Sequence, residues 1–229
     1  MCWSVPVTLG FLLAHLTAAQ LVARLNTRYR SEFLIFIYFY AVMEFLQLSQ
    51  WIIGSVNTCN ITNKALTLIA YLLIWLQPIM FSYIGLRQCR ERKAYYTYAL
   101  YLSLLALAVV TVNIFMSYYT NKHVIVLNTP NNFGNETCTY IGKYGHLSWK
   151  LPIYTLDIHP SYFVYVAVIL LCILKYPVGM QLTMGIGWFA TLLVSIYFVG
   201  GSDEIPSFWC LLSVFADIPI VIYSYLRSQ

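Results

Sequence analysis

Charged residues are scarce in this sequence. Asp, Glu, Lys and Arg make up 9% of its 229 residues, whereas an ordinary soluble domain carries roughly 25%. Hydrophobic residues reach 60% and the mean hydropathy is +0.71, which excludes the soluble globular class. The scarcity of charge therefore predicts a polytopic protein whose main partner is the lipid bilayer.

Long polar stretches are also few, and this predicts the architecture. Seven apolar runs approach the ~20 residues that a spanning helix needs, so we predict an all-α, seven-transmembrane-helix bundle that forms one domain over 1–229. A basic segment is missing before the first run, which favours an uncleaved helix over a signal peptide. The predicted helices cover 4–24, 31–54, 64–86, 95–117, 160–176, 180–199 and 204–226.

Lysine and arginine are distributed unevenly between the two sides of this predicted bundle. Nine lie in or beside the loops after helices 1, 3 and 5 and at the C-terminus, and four lie on the opposite side. The positive-inside rule thus predicts an outside N-terminus and a cytosolic C-terminus, with the basic loop "RQCRERKA" (87–94) in the cytosol. Because these residues form short juxtamembrane clusters, the net charge of +5 indicates orientation, and no nucleic-acid partner is expected.

The one long connection is the predicted outer loop, 118–159. Short strands are expected at 123–127 and 137–142, around a turn-rich segment, as a hairpin over the outer mouth. A loop of this length is typical either of a lid or recognition surface, or of a tolerated insertion.

Cysteines and sequons agree with this sidedness. Cys59 and Cys138 both fall on the outer side, where thiols oxidise, and we predict a disulfide bond between them. Asn60 and Asn135 begin two glycosylation sequons on the same side, and Asn135 is the better candidate because Asn60 lies close to helix 3. Cys2 and Cys210, each at the outer end of its helix, form a weaker second candidate pair.

Polar side chains are rare inside the predicted helices, and those present fall near one depth. His15, Glu44, Gln77 and Asp217 lie near the centres of helices 1, 2, 3 and 7. A centred Asp costs ~2.5–3.5 kcal/mol even on a lenient insertion scale, so it persists where it is paired, wetted or neutralised. We therefore predict a midplane pocket for a proton, a cation or a small polar ligand, lined by these four residues and Gln47. Glu44 is expected to face the interior, within one water of Asp217, His15 or Gln77.

Two interpretations of this polar layer stay open. In the first, it is a site of transport or binding, and Pro78 and Pro219 support it because each frees a backbone carbonyl near a polar side chain. In the second, it is a hydrogen-bonded clamp between helices. The protein would then be a receptor-like or structural envelope protein that acts through its outer loop.

Several functional classes lack the residues they need. Helix 7 contains no lysine, and Asp217 lies about where one would be required, so no retinal Schiff base is expected. His15 is the one histidine within the predicted helices, which argues against the three-histidine zinc site of alkaline-ceramidase-like hydrolases. The cytosolic connection 175–179 is short for a G-protein contact. A nucleophile elbow, a phosphate loop and a CxxC motif are absent, so we predict a non-enzymatic protein without metal or cofactor.

Four segments resemble an uncharacterised seven-transmembrane family of algae, protists and large DNA viruses. They are "MCWS" at the start, "MEFLQLSQW" (43–51), "CNITNKALT" (59–67) with "LIWLQP" (73–78), and "PSFWC" (206–210). The resemblance implies seven helices and a viral or protist source, and it carries no established activity. It adds a virion or host membrane to the secretory-pathway and plasma membranes as locations.

Overall fold

A computed structural model describes residues 4–124, 133–200 and 204–228. It confirms the all-α class, with seven helices and one small hairpin. Six helices are long and apolar enough to cross a membrane, so by helix composition the chain is an integral multi-pass membrane protein. The helices are α1 (Val5–Arg24), α2 (Arg30–Ile52), α3 (Ile61–Gln88), α4 (Lys93–Thr120), α5 (Tyr162–Leu174), α6 (Val178–Val199) and α7 (Ile205–Ser228).

The helix α5 is the exception. It has 13 residues, which span about 20 Å against the ~30 Å of a hydrocarbon core, so the expectation of a full-length fifth spanning helix is wrong. Its start is set by Ser161, whose side chain accepts from the backbone N–H of Val164, directly after Pro160. Pro177 follows two residues after the C-cap at Lys175, and proline cannot continue a helix.

The non-helical segment 151–161, which precedes α5, adds to the length that α5 covers across the bundle. Leu151 and Ile153 are fully buried, and Thr155 pairs with Asn113 of α4, which lies seven residues before the end of that helix. The segment therefore descends about 10 Å into the bundle before α5 begins. Backbone without helical hydrogen bonds is tolerated at such depth where protein surrounds it.

The hairpin pairs two short antiparallel strands, β1 (Cys138–Ile141) and β2 (Leu147–Lys150). The predicted strand at 137–142 is confirmed, but its partner is the segment that follows it and not 123–127. Residues 125–132 lie outside the described part of the chain, and 123–124 are not in a strand. Below, "the hairpin end" means the end of the bundle that carries β1 and β2.

The helices form a closed ring in which α1 packs against both α2 and α7, and α2 contacts α3 and α7. The predicted neighbourhood of helices 1, 2, 3 and 7 is therefore present. Most of α1 and α4 is exposed, and their apolar outer faces suit lipid. Gly187 lets α6 approach α7 closely, because a Cβ there would lie 2.8 Å from the Cβ of Ala216, as small residues do in membrane helix pairs.

Two local departures from α-helical geometry lie near the polar layer. A wider π-type turn over Gln181–Gly185 follows the first residues of α6, Val178–Met180. The helix α7 is interrupted at Ser213, six residues before Pro219, and continues over Val214–Ser228. By contrast, α3 runs through Pro78 without a break, so proline alone does not decide where a helix in this bundle is interrupted.

Candidate functional site: a divided midplane polar layer

His15 and Asp217 form a buried pair between α1 and α7. The Nδ1 atom of His15 lies 2.7 Å from Oδ2 of Asp217, and both side chains are almost completely shielded from solvent. The other nitrogen of the His15 imidazole, Nε2, lies 3.5 Å from Ser213 Oγ. The second carboxylate oxygen of Asp217, Oδ1, has no hydrogen-bond partner among the described residues. The pair thus joins two titratable groups and leaves one acceptor unused.

Gln77 belongs to a second group, with two tyrosines. Its Oε1 accepts hydrogen bonds from the hydroxyl of Tyr40 on α2, at 3.1 Å, and from that of Tyr165 on α5, at 2.6 Å. All three side chains are buried. One amide oxygen therefore ties three helices together, and the sequence indicated this only through the position of Tyr40 on the same stripe of α2 as Glu44.

Glu44, on α2, is hydrogen-bonded to neither of these two groups. The residue is fully buried, and both carboxylate oxygens lack a hydrogen-bond partner within the part of the chain that the structure describes. Its carboxylate is close enough to the Cys210 thiol to interact electrostatically, and Tyr40 interacts in the same way with Cys210 and Asp217. The expected interior position of Glu44 is therefore present, whereas a water-bridged contact to His15, Gln77 or Asp217 stays a prediction.

The predicted pocket residues are all buried, but the structure divides them. Gln77 borders a cavity between α3, α5, α6 and α7, whereas Asp217 borders a shallow one between α1 and α7. Gln47 is buried one turn from Glu44, on the side toward the hairpin end. Across the described ranges, no three His, Cys, Asp or Glu side chains come close enough to hold a metal ion. The mixed site that His15, Glu44 and Asp217 could have formed is not assembled.

The hairpin end holds a dense polar network that the sequence did not reveal. The side-chain amide of Asn63 donates to the backbone carbonyl of Thr139, at 2.9 Å, and accepts from its N–H, at 2.7 Å. The Thr139 hydroxyl contacts Thr67, at 2.5 Å, and Gln50, at 2.9 Å. Four buried polar residues from α2, α3 and β1 are thus linked by hydrogen bonds, and the strand is fastened to the bundle. Gln50 Oε1 has no hydrogen-bond partner among the described residues.

The predicted disulfide bond between Cys59 and Cys138 is present and strengthens this attachment. It joins the loop before α3 to the first residue of β1. Asn60 is the N-cap of α3, where its side chain accepts from the N–H of Asn63, and Asn135 is exposed. Cys2 lies outside the described residues, and with it the weaker pairing to Cys210.

A buried carboxylate also fastens the turn of the hairpin. Glu204, just before α7, accepts from the backbone N–H of Tyr144, at 2.9 Å, and from that of His146, at 3.1 Å. Burial lowers the pKa of His146 to about 4 and also lowers the pKa of His159, whose ring contacts the Tyr71 hydroxyl at 3.3 Å. Both histidines are therefore neutral at pH 7, and the buried Glu204 carboxylate is solvated by the N–H groups of the turn.

The comparisons with known proteins agree with the resemblance noted in the sequence. The profile of the "Family of unknown function (DUF5765)" matches residues 7–229. A protein of Acanthamoeba polyphaga mimivirus, "Uncharacterized protein R287", is 29% identical over 245 residues, which cover 100% of this chain and 97% of the viral protein. No solved structure matches. Since the profile covers nearly the whole chain, the protein belongs to the DUF5765 family of unknown function.

Proposed function

We propose that this multi-pass membrane protein binds and moves a proton through its midplane polar layer, without catalysing a chemical reaction. One observation carries the proposal: Glu44 is fully buried and neither of its oxygens has a hydrogen-bond partner among the described residues. An ionised carboxylate buried without a partner costs several kcal/mol, whereas the protonated acid loses only hydrogen bonds. A carboxyl group in this position therefore favours its protonated form, which makes it a binding site for a proton.

A proton also suits the layer better than the other two species that the sequence left open. A cation needs several oxygen or nitrogen ligands at once, and the described residues offer no such cluster. A small polar ligand needs convergent polar groups around one cavity, whereas Gln77 and Asp217 border separate cavities. A proton needs neither, because it can pass between side chains and single waters.

The arrangement suggests a route with two halves. His15 and Asp217 form the half between α1 and α7, and Gln77 with Tyr40 and Tyr165 forms the half between α2, α3 and α5. Glu44 is on α2, the helix that contacts α1, α3 and α7, and would act as the group that exchanges its proton with either half. The orphan Oδ1 of Asp217 is the acceptor through which the first half would be reached.

Flux measurements in proteoliposomes test this proposal. Purified protein is reconstituted with a pH-sensitive dye inside the vesicles, and an imposed pH gradient should decay faster than in protein-free vesicles. Glu44→Gln should reduce the decay to the background rate, since the amide keeps the size of the acid but cannot exchange a proton.

Glu32→Gln is the matched control on the same helix. Glu32, in the first turn of α2, is also buried, but it has a partner. Its Oε1 lies 3.2 Å from Nε of Arg87. Its amide variant should keep the wild-type flux. Equal flux from Glu44→Gln and wild type, or no flux from either, would refute the proton route.

We further propose that the hairpin end faces outside and the basic loop 87–94 faces the cytosol. The passage through 151–161 and α5 supports this orientation, because it runs from Asn113, near the hairpin end, to Lys175, whose carbonyl accepts from Arg92 at 2.7 Å. The chain then crosses seven times. A biotinylation tag inserted in 87–94 should react only after cells are permeabilised, and labelling of intact cells would reverse the orientation.

A second function has its own supporting observation. The hairpin is fastened to the bundle by a disulfide bond, by Asn63 and by Glu204, and such a rigid surface suits a receptor-like or structural envelope protein. In that case Glu44→Gln would change nothing. Replacing the hairpin tip, 142–146, with an unrelated turn of equal length would abolish the biological activity while leaving proton flux unaffected.

A further inference from the structure

A second cavity, distinct from the proton route except at Gln77 and Tyr165, lies between α3, α5, α6 and α7. Its volume is about 430 Å³, within the range of roughly 300–1,000 Å³ that small-molecule sites occupy. It extends from Tyr162 and Ile205, at the hairpin end of α5 and α7, down to Gln77 and Cys210. The cavity therefore occupies the half of the bundle nearer the hairpin.

The cavity opens sideways, between α5 and α6. Phe163 on α5 and Leu193 and Ile196 on α6 line it, and they are 80%, 50% and 45% exposed. These side chains are on the outer surface of apolar helices, where lipid contacts the protein.

The described residues of the cavity wall carry no charge. None of the residues that line it is Asp, Glu, Lys, Arg or His. Among its polar groups, the Trp209 indole N–H donates to Thr191 and the Tyr165 hydroxyl donates to Gln77 Oε1. Because the amide oxygen is occupied by two hydroxyls, the amide nitrogen of Gln77 is the donor left for a ligand at the deep end.

We propose that this cavity binds a neutral lipid that enters from the bilayer between α5 and α6. The ligand has a long apolar body and one hydroxyl or carbonyl group, which accepts a hydrogen bond from Gln77. A charged headgroup is disfavoured because no side chain in the wall would pair with it. A water-soluble ligand is disfavoured because the opening faces lipid. The binding does not depend on proton movement and is measured without a gradient.

Photolabelling with a long-chain alcohol tests the site. Protein in nanodiscs is labelled with hexadecanol that carries a diazirine, and labelled peptides are identified by mass spectrometry. Labelling at α5, α6 and α7 around the cavity should saturate and should be displaced by unlabelled hexadecanol. Displacement by hexadecyl sulfate should require about tenfold more competitor, since its charge would stay unpaired in the cavity. Labelling that does not saturate indicates bulk lipid only and overturns the proposal.

Two variants sharpen the test. Ile196→Trp fills the mouth and should reduce the saturable labelling several-fold, whereas Leu105→Trp, which is on the exposed face of α4 and away from the cavity, should not. Gln77→Leu should weaken binding of the alcohol about threefold to tenfold and leave that of a diazirine hexadecane unchanged. Equal effects on alcohol and alkane would show that Gln77 makes no hydrogen bond to the ligand, and unchanged labelling of Ile196→Trp would place the ligand elsewhere.

Discussion

The hairpin end and the midplane of this protein treat their buried carboxylates in opposite ways. At the hairpin end, the backbone and hydroxyl of Thr139 are met by Asn63, Thr67 and Gln50, and Glu204 is solvated by backbone N–H groups. At the midplane, Glu44 has no hydrogen-bond partner among the described residues and Asp217 leaves one oxygen unused. The two regions are similarly buried, so solvent does not explain the difference.

This difference points to a structural role for the polar groups of the hairpin end and to a functional role for those of the midplane. Satisfied polar networks fix one geometry, and at the hairpin end they hold a surface in place. An unsatisfied carboxylate in a membrane costs stability and is expected to persist for a function. Each of the following predictions would fail if the two regions were alike.

The largest effect is expected from the disulfide bond. Cys59 and Cys138 are 79 residues apart, and the chain-entropy model gives a loop of that size about 4–5 kcal/mol of stabilisation. The double variant Cys59→Ser, Cys138→Ser should lose most of that free energy of unfolding in SDS titration of mixed micelles. Cys89→Ser, at a free thiol away from the hairpin, is the control and should unfold like the wild type.

The next largest effect is expected at Asn63. Asn63→Ala leaves the backbone N–H of Thr139 without its partner and removes one of the two donors to its carbonyl, the other being the N–H of Asn57. The expected cost is about 2–4 kcal/mol in unfolding free energy. Its neighbour Lys64 makes an exposed ion pair with Glu136, at 2.9 Å, and exposed pairs contribute little. Lys64→Ala, measured in the same SDS titration, should be indistinguishable from wild type. Equal losses from the two variants would contradict the network described here.

At Glu44, a substitution should raise the free energy of unfolding and not lower it. Glu44→Leu removes a carboxylate that satisfies no described partner, so the free energy of unfolding should rise by about 1–3 kcal/mol, while proton flux is lost. A clamp between helices predicts the opposite, a loss of stability with Leu and little change with Gln. Unfolding of Glu44→Leu, Glu44→Gln and wild type, each paired with a flux measurement, distinguishes the two.

The smallest effect is expected from low pH, which should reduce the free energy of unfolding through His146 at the hairpin end. Burial lowers the pKa of His146 from 6.5 to about 4, so between these values the unfolded state binds a proton that the folded state does not. Stability is therefore unaffected above pH 6.5 and falls as the pH decreases, by about 1–2 kcal/mol at pH 5. His146→Gln should flatten this dependence between pH 7 and 5. If the slope stays the same in that variant, His146 is not its source.

Periodicity and length predicted much of the fold. Every predicted helix has a counterpart whose ends differ by at most three residues, because runs of apolar residues and the prolines around them act locally. The disulfide bond was predictable because both cysteines fall on one side of the bundle. The partner of β1 was not, since strand pairing depends on tertiary contacts, and β1 pairs with Leu147–Lys150, which was not predicted as a strand.

In the polar layer, too, the sequence predicted some features and tertiary packing decided others. The sequence by itself determined that His15, Glu44, Gln77 and Asp217 lie at similar depth, because helical rise converts residue number into distance along the membrane normal. Only the tertiary structure decided that His15 meets Asp217, that Gln77 meets two tyrosines and that Glu44 meets no described partner. Which side chains touch depends on how each helix is rotated about its axis, and that rotation is set by the packing of the whole bundle.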